Sequence, residues 1–294
     1  MTALAPDLAM DVLAPRSLPE ALDMKRERPD ALVICGGTDV MVAMNFDRVR
    51  PPAIMDVSRL GELQDVRQDG DTVMLGAGVT YARIIRELPT LTPLVQASRT
   101  VGSPQIRNRG TVGGNLGTAS PAGDALPVLA AYDADVLLAS AERGERWLPW
   151  HDFLTGPKST ALEPDELIVA TRWRVTRGPG SFSKIGTRNA MVIAVASICL
   201  VLDEASRTVR VALGSVGPTI LRADDAERFA NGIIPWEEPA TAVDADAAAR
   251  FGELVADAAS PIDDVRGTAA YRRHACSILA SRALSWALSE GASS

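Results

Sequence analysis

The feature that most constrains this chain is a pair of glycine doublets set among short polar side chains. The first is Val33-Ile34-Cys35-Gly36-Gly37-Thr38-Asp39-Val40, and the second begins Thr111-Val112-Gly113-Gly114-Asn115 and continues through Gly117-Thr118, Ser120 and Gly123-Asp124. Lacking a Cβ, glycine backbone reaches left-handed angles and lies close against a ligand, so consecutive N–H groups can converge on phosphate oxygens. Two such bends facing each other would grip a pyrophosphate from both sides. Each also has a plainer reading: Gly36-Gly37 as a tight turn after a strand, Gly113-Gly114 as a hairpin corner. The hydroxyl and amide side chains of Thr111, Asn115, Thr118 and Ser120 weigh against the corner, because they are donors suited to phosphate and sugar-alcohol oxygens. Asp124 precedes an apparent helix and is equally readable as its N-cap.

A length of 294 residues with 47% hydrophobic content supports a packed core in one large domain or two to three small ones. With 30 basic against 37 acidic residues, a net charge of −7 and no run of Lys or Arg, the chain lacks the footprint of a nucleic-acid binder. No stretch reaches the ~18 apolar residues of a membrane span. The start, Met1 to Pro15, carries Asp7 and Asp11 where a secretory signal would be basic and then apolar, which makes the cytoplasm the expected location. Cys35, Cys199 and Cys276 are odd in number and scattered, an argument against a disulfide framework. Three thiols also fall short of the four that an all-cysteine iron–sulfur cluster requires, and His151 and His274 add no metal-ligand spacing. Metal chemistry would therefore belong to another chain.

Periodicity predicts a helix over Leu18–Arg28, a buried strand over Ala31–Cys35 and a strand over Ala53–Val57. Strands follow at Thr72–Leu75, Val136–Ala139, Leu167–Val175, Val192–Leu202 and Thr208–Leu213, with a turn-rich stretch at Thr155–Ser159. Thr80 should cap a helix that turns Ile84, Ile85 and Leu88 to one face, and Leu126–Tyr132 reads as a further helix. The remainder reads as helical, over Ala245–Ala259 and Thr268–Leu288, with Arg272, Arg273 and Arg282 facing outward. Segregated strands and helices favour an α+β architecture over continuous βαβ winding. Arg177-Gly178-Pro179-Gly180 marks the expected boundary between a domain at 1–177, itself divided near residue 60, and one at 178–294.

Other motifs carry less. Gly76-Ala77-Gly78 starts like a dinucleotide fingerprint, but Tyr81 stands where its last glycine belongs. Neither a Walker-type phosphate loop nor a Gly-x-Ser-x-Gly elbow is present. Lys184, beside Arg188, could steer an anionic cofactor edge or simply be solvated surface. No general acid, base or nucleophile stands out.

Taken together, these residues resemble the FAD-binding medium subunit of the molybdenum hydroxylases, the family of xanthine, nicotinate and carbon monoxide dehydrogenases. The segments that carry the resemblance are Ile34 to Val40, Gln105-Ile106-Arg107-Asn108-Arg109-Gly110-Thr111-Val112-Gly113-Gly114-Asn115, and Ser120 to Asp124. Weaker similarity at Pro52–Leu60, Glu166–Ile168, Lys184–Arg188, Gly214–Ala223 and Tyr271–Leu284 spreads it over almost the whole chain.

The resemblance implies a two-subdomain FAD-binding fold of the PCMH/vanillyl-alcohol-oxidase type. A C-terminal α+β subdomain of the carbon monoxide dehydrogenase flavoprotein type would follow it. FAD would be held by Val33 to Val40, by Gly110, Thr111, Gly113, Gly114, Asn115, Gly117, Thr118, Ser120, Gly123 and Asp124, and nearer its rings by Gly102, Ile168 and Lys184. A small subunit with two [2Fe–2S] clusters and a large subunit with the molybdopterin cofactor would complete a heterotrimer, arranged as a dimer of heterotrimers. Electrons would reach the flavin from the clusters and leave to NAD, a quinone or dioxygen. The stretch Lys184 to Met191 is most similar to members acting on purines and other N-heterocycles, with a carbon monoxide dehydrogenase medium subunit, or a stand-alone flavin oxidase, as the alternative. Two departures from the family pattern stand out. Thr38-Asp39 replaces His-Ser, and Val101-Gly102 occupies a place where some members have an aromatic residue. Gly117 and Gly123 replace larger residues of some relatives, which predicts a looser pocket.

Overall fold

The computed structural model describes residues 10–237 and 243–290. The start of the first expected domain (1–9) and the end of the second (291–294) lie outside them, as does the beginning of the stretch read for a signal. Strands β1 (Asp11–Leu13), β2 (Leu32–Ile34) and β3 (Ala53–Asp56) form a parallel sheet in the order β1-β3-β2. Helix α1 (Leu18–Glu27) crosses from β1 to β2, capped by the Ser17 hydroxyl, and α2 (Val40–Asn45) follows the first glycine doublet. Only Ala31 of the predicted buried strand is buried; residues 32–35 are half-buried, because this small sheet packs one face on its neighbour.

The second sheet is antiparallel. It joins β4 (Val66–Asp69), β5 (Thr72–Gly76), β6 (Asp135–Ser140), β7 (Gly144–Pro149) and β10 (Leu167–Arg174) in the order β4-β5-β10-β6-β7. Two short strands, β8 (Leu154–Gly156) and β9 (Ser159–Thr160), make a hairpin of the segment read as a turn. Between β5 and β6 run α3 (Tyr81–Glu87), α4 (Thr92–Thr100), α5 (Pro104–Arg109), α6 (Val112–Thr118) and α7 (Leu126–Ala131), and α8 (Trp150–Phe153) follows β7.

The third sheet, also antiparallel, orders β11 (Gly180–Ile185), β12 (Ala196–Asp203), β13 (Thr208–Gly214) and β14 (Leu221–Arg222) consecutively. Helices α9 (Asp224–Ile233), α10 (Ala245–Ala258) and α11 (Ala269–Glu290) come after it. Strand β12 explains its own apolar run. Ile198, Leu200 and Leu202 pack with Phe251 and Leu284 on one side, while Cys199 and Val201 join Leu129 and Phe182 on the other, so both faces are buried.

The structure corrects several expectations. The second glycine doublet is neither a turn nor a corner but the first turn of α6. Helix α7 is preceded by Ala125 in helical conformation with no side-chain cap, so Asp124 is not its N-cap. Strand β12 starts at Ala196, four residues later than read, and α9 and β14 occupy part of the segment assigned wholly to helices. Arg272 does not face outward: it is 4% exposed and donates to the carbonyls of Val195 (3.0 Å) and Ser215 (2.6 Å) and to Asp264 (2.6 Å). Those acceptors are brought to it by the fold, so helical spacing alone could not reveal them.

Candidate functional site

Both doublets lie at one place. A Cβ on Gly36 would overlap the Arg109 carbonyl, and Gly110 Cα lies 3.1 Å from the same position, so the first doublet is packed directly against the backbone that leads into the second. Arg109 Nη2 donates to the Cys35 carbonyl (3.3 Å), and Thr118 Oγ1 donates to Asp39 Oδ2 (3.0 Å), tying the two segments at either end.

Their donors differ. Among the described residues, the amides of Gly36, Gly37, Thr38 and Asp39 donate to no protein acceptor. Gly37 has φ +73°, the left-handed angle that turns this loop. In α6 the first-turn amides are all used: Val112 on Val79 O (3.3 Å), Gly113 on Ala77 O (2.9 Å), Gly114 on Thr111 Oγ1 (2.9 Å) and Asn115 on Thr111 O (3.0 Å). The second doublet is therefore no amide nest. What it offers is bare surface. Gly114 and Gly117 are exposed and three residues apart, hence on one face of the helix, and a Cβ on Gly114 would meet only Thr111 Oγ1, at 3.1 Å. Gly113 faces inward, where a Cβ would sit 2.5 Å from that of Ala77.

The remaining expected site residues converge here. Ile168 Cδ1 lies 3.5 Å from a Cβ built on Gly117. Gly102, at φ +43°, turns the chain between α4 and α5 and packs on Ile106. Gly123 does not loosen the site, as a Cβ there would sit 2.6 Å from Asn115 Nδ2, in a side chain whose Oδ1 accepts the Ala125 N–H (3.3 Å). Lys184 is not solvated surface: its side chain is 7% exposed and pairs with Asp124 at 2.6 Å. Asp124 is 8% exposed, and burial pushes its carboxyl up while the Lys184 charge opposes the shift. Its Oδ1 has no hydrogen-bond partner.

Tyr81, which in the sequence stands only as the break in the Gly76-Ala77-Gly78 fingerprint, also lies beside the doublets. Its N–H donates to Gly110 O (3.1 Å), its ring lies 3.3 Å from where a Gly110 Cβ would be, and its buried hydroxyl is unpartnered. Burial, with Asp124 and Asp39 near, pushes its phenol up. The one signal was its place directly after the Thr80 cap. A cavity of about 220 Å³ opens beside the doublets, lined by Cys35, Thr80, Arg83, Asn108, Arg109 and Thr111. A hollow of about 410 Å³ elsewhere is lined by Arg143, Arg146, Glu163 and Glu166. Arg146 is bidentate there on Glu166 (2.7 and 2.8 Å) and Arg143 pairs with Asp165 (2.5 Å), so it reads as a structural ion network. Among the described residues no His, Cys, Asp or Glu cluster is placed to hold a metal, and no helix is long and apolar enough to cross a membrane.

Residues 8–172 match the family profile described as the FAD binding domain in molybdopterin dehydrogenase, more than half of the chain. The chain belongs to this family, the FAD-binding subunits of the molybdenum hydroxylases. Residues 181–287 match the CO dehydrogenase flavoprotein C-terminal domain. Among curated relatives, caffeine dehydrogenase subunit beta of Pseudomonas sp. (strain CBB1) is 33% identical over 76% of this chain and 79% of its own. The carbon monoxide dehydrogenase medium chain of Hydrogenophaga pseudoflava is 30% identical over 93% of this chain and 96% of its own. Among solved structures, a chain of quinoline 2-oxidoreductase from Pseudomonas putida 86 superposes with a TM-score of 0.86 at 26% identity, covering 97% of this chain and 98% of that one. The fold is thus the α+β FAD-binding fold with its C-terminal domain, and the chain is the flavoprotein subunit of a molybdenum-containing oxidoreductase.

The residues present fit an FAD of that family. Unclaimed amides at 36–39 suit the two negative charges of a diphosphate, the bare face of α6 lets a ligand lie against backbone, and the unpartnered Asp124 Oδ1 and Tyr81 hydroxyl supply an acceptor and a donor.

Proposed function

We propose that this chain holds FAD between the loop at residues 33–40 and helix α6, as the electron-exchange subunit of an N-heterocycle dehydrogenase. The observation that carries the reading is the row of unclaimed amides at 36–39 set against the bare Gly114–Gly117 face. The loop amides take the diphosphate, while Thr111, Asn115, Thr118 and Ser120 line the stretch along which the ribityl chain lies. Ile168, Gly102, Asp124 and Lys184 stand nearer the ring ends. The fold divides near residue 60 and near residue 178, and the cofactor lies between the first two units.

When bound, the flavin supplies exchange between one-electron and two-electron carriers. The protein positions it and shields its diphosphate. Electrons come singly from the [2Fe–2S] clusters of a small partner subunit, while a large subunit with the molybdopterin cofactor oxidises substrate. Two electrons leave for NAD, a quinone or dioxygen. The assembly is a dimer of heterotrimers in the cytoplasm. An N-heterocyclic substrate is supported by the Lys184–Met191 stretch and by the caffeine and quinoline enzymes among the relatives; the carbon monoxide dehydrogenase chain supports the second reading, carbon monoxide.

The test is direct. The purified chain, denatured to release its flavin, should yield FAD close to one per polypeptide; a flavin-free chain would overturn the reading. Turnover by the assembled complex on xanthine, other N-heterocycles or carbon monoxide, with each acceptor in turn, decides between the substrates.

A further inference from the structure

Lys184 lies at a junction of three segments. From β11 its ammonium donates to Asp124 Oδ2 at 2.6 Å, to the Thr100 carbonyl at the end of α4 at 2.9 Å, and to the Val192 carbonyl at 3.1 Å. An ammonium has three N–H donors, so these acceptors use all of them. No donor is left for a cofactor. Asp124 Oδ2 also accepts from Thr100 Oγ1 (3.3 Å), whereas Oδ1 is free of protein partners. The segment carrying Asp124 is gripped by the C-terminal sheet a second time, through the Ser215 N–H on Pro121 O (2.7 Å).

We propose that Lys184 is a positioning residue for the flavin site and not a contact, acting through Asp124 and the Thr100–Gly102 turn, which its ammonium ties to the C-terminal sheet. The inference rests on the FAD reading above and gives Lys184 the role that the geometry allows. The ammonium balances a carboxylate that would otherwise be buried alone. Removing one partner of such a pair leaves the other as an uncompensated charge, whereas removing both charges is far better tolerated.

The test compares FAD affinity of the full chain, stripped of flavin and retitrated with FAD, for wild type, Lys184→Met, Asp124→Asn and the double variant. Asparagine keeps an oxygen acceptor at the Asp124 position. Lys184→Met should weaken FAD binding roughly tenfold or more, and the double variant should recover most of that loss.

The pH dependence gives a second readout. Lys184 and Tyr81 are the titratable groups that face Asp124, from β11 and α3, and burial holds the Tyr81 phenol above its ordinary range. In Lys184→Met, therefore, the group that titrates is Asp124, which burial already pushes up. Affinity of that variant should rise as the pH is lowered, because a proton on the Asp124 carboxyl then replaces the missing ammonium. If Lys184 contacted the flavin itself, the loss would be independent of pH and the double variant would bind no better than Lys184→Met; that result overturns the proposal. Should Lys184→Met fail to fold, a folded, FAD-binding double variant supports the proposal, and a double variant equally unfolded overturns it. Failure of the wild-type chain to bind FAD would instead sink the functional reading.

Discussion

The two glycine doublets look alike in the sequence and do different work in the fold. At residues 36–37 the chain is a loop with amides free to meet a ligand; at 113–114 it is a helix whose first-turn amides are all spoken for. In both, the first glycine is taken up by packing, Gly36 against Arg109 and Gly113 against Ala77, and the second is the one left without backbone against it. Of the two second glycines, Gly37 serves the left-handed turn of its loop and Gly114 lies bare on the surface of α6. The loop presents free N–H donors, and the helix presents uncovered backbone.

The largest expected effect breaks the doublets apart in that sense. Gly36→Ala puts a methyl into a backbone carbonyl that cannot swing aside, and Gly113→Val drives a branched side chain into Ala77; each should cost about 3 kcal/mol or more. Thermal unfolding of the flavin-free chain would detect either. A Gly36→Ala chain as stable as wild type would mean that this packing is not present in solution.

Gly114→Val is the counterpart, and it sharpens the comparison. The position is exposed, and valine is a somewhat better helix former than glycine, so stability of the flavin-free chain should move by less than about 1 kcal/mol. Flavin retention should nonetheless be lost, because the side chain fills the space where ligand and backbone meet. Absorbance of the purified variant reads this directly, and stoichiometric FAD in it would show the bare face of α6 to be unused.

Much of the fold was legible because single elements announce themselves. The Leu167–Arg174 strand buries Leu167, Val169, Ala170 and Trp173, Thr80 caps α3 as its position suggested, and α10 and α11 follow their aliphatic spacing. Strand β11 was not legible: Ser181, Ser183 and Lys184 are polar, and the strand exists because β12 pairs with it and the Gln96 side chain accepts the Phe182 N–H (2.7 Å). The site divides in the same way. The glycine motifs were readable as a local pattern, but the helix through Gly113-Gly114 runs against glycine's low helix propensity and is set by Thr111 and by contacts to Val79 and Ala77. The Lys184–Asp124 pair spans 60 residues and the Arg272 anchor to Val195 spans 77, distances over which composition and spacing carry no signal.

Thr111 offers a smaller test, confined to the helical doublet. Its hydroxyl caps α6 by accepting the Gly114 N–H, so Thr111→Ala should cost about 1 kcal/mol. It also frees that amide at the edge of the site, leaving the second doublet a little more like the first. A denaturant midpoint that falls together with unchanged FAD affinity would keep the division of labour intact, whereas a large loss of affinity would give the Thr111 hydroxyl a direct part in binding.

The smallest effect concerns the loop doublet and needs no mutation. Cys35 is half-buried directly before Gly36, and burial pushes its thiol up, with a hydrogen bond to Thr111 and the Arg109 charge opposing and Asp56 adding to the shift. The thiolate is the reacting form, so alkylation of Cys35 should require a higher pH than that of a free cysteine. The sign follows for stability as well. A folded-state pKa above the unfolded one means that the neutral thiol's contribution is complete below the unfolded value, and it is lost only as the pH rises through the folded value. Cys199 and Cys276 are fully buried and are pushed up further, so peptide mapping after brief alkylation of the native chain at rising pH should find Cys35 modified before either of them. Bound FAD should slow that modification further if the loop lies against the diphosphate. Equal Cys35 rates with and without FAD would move the ligand off the loop and leave the free amides unexplained.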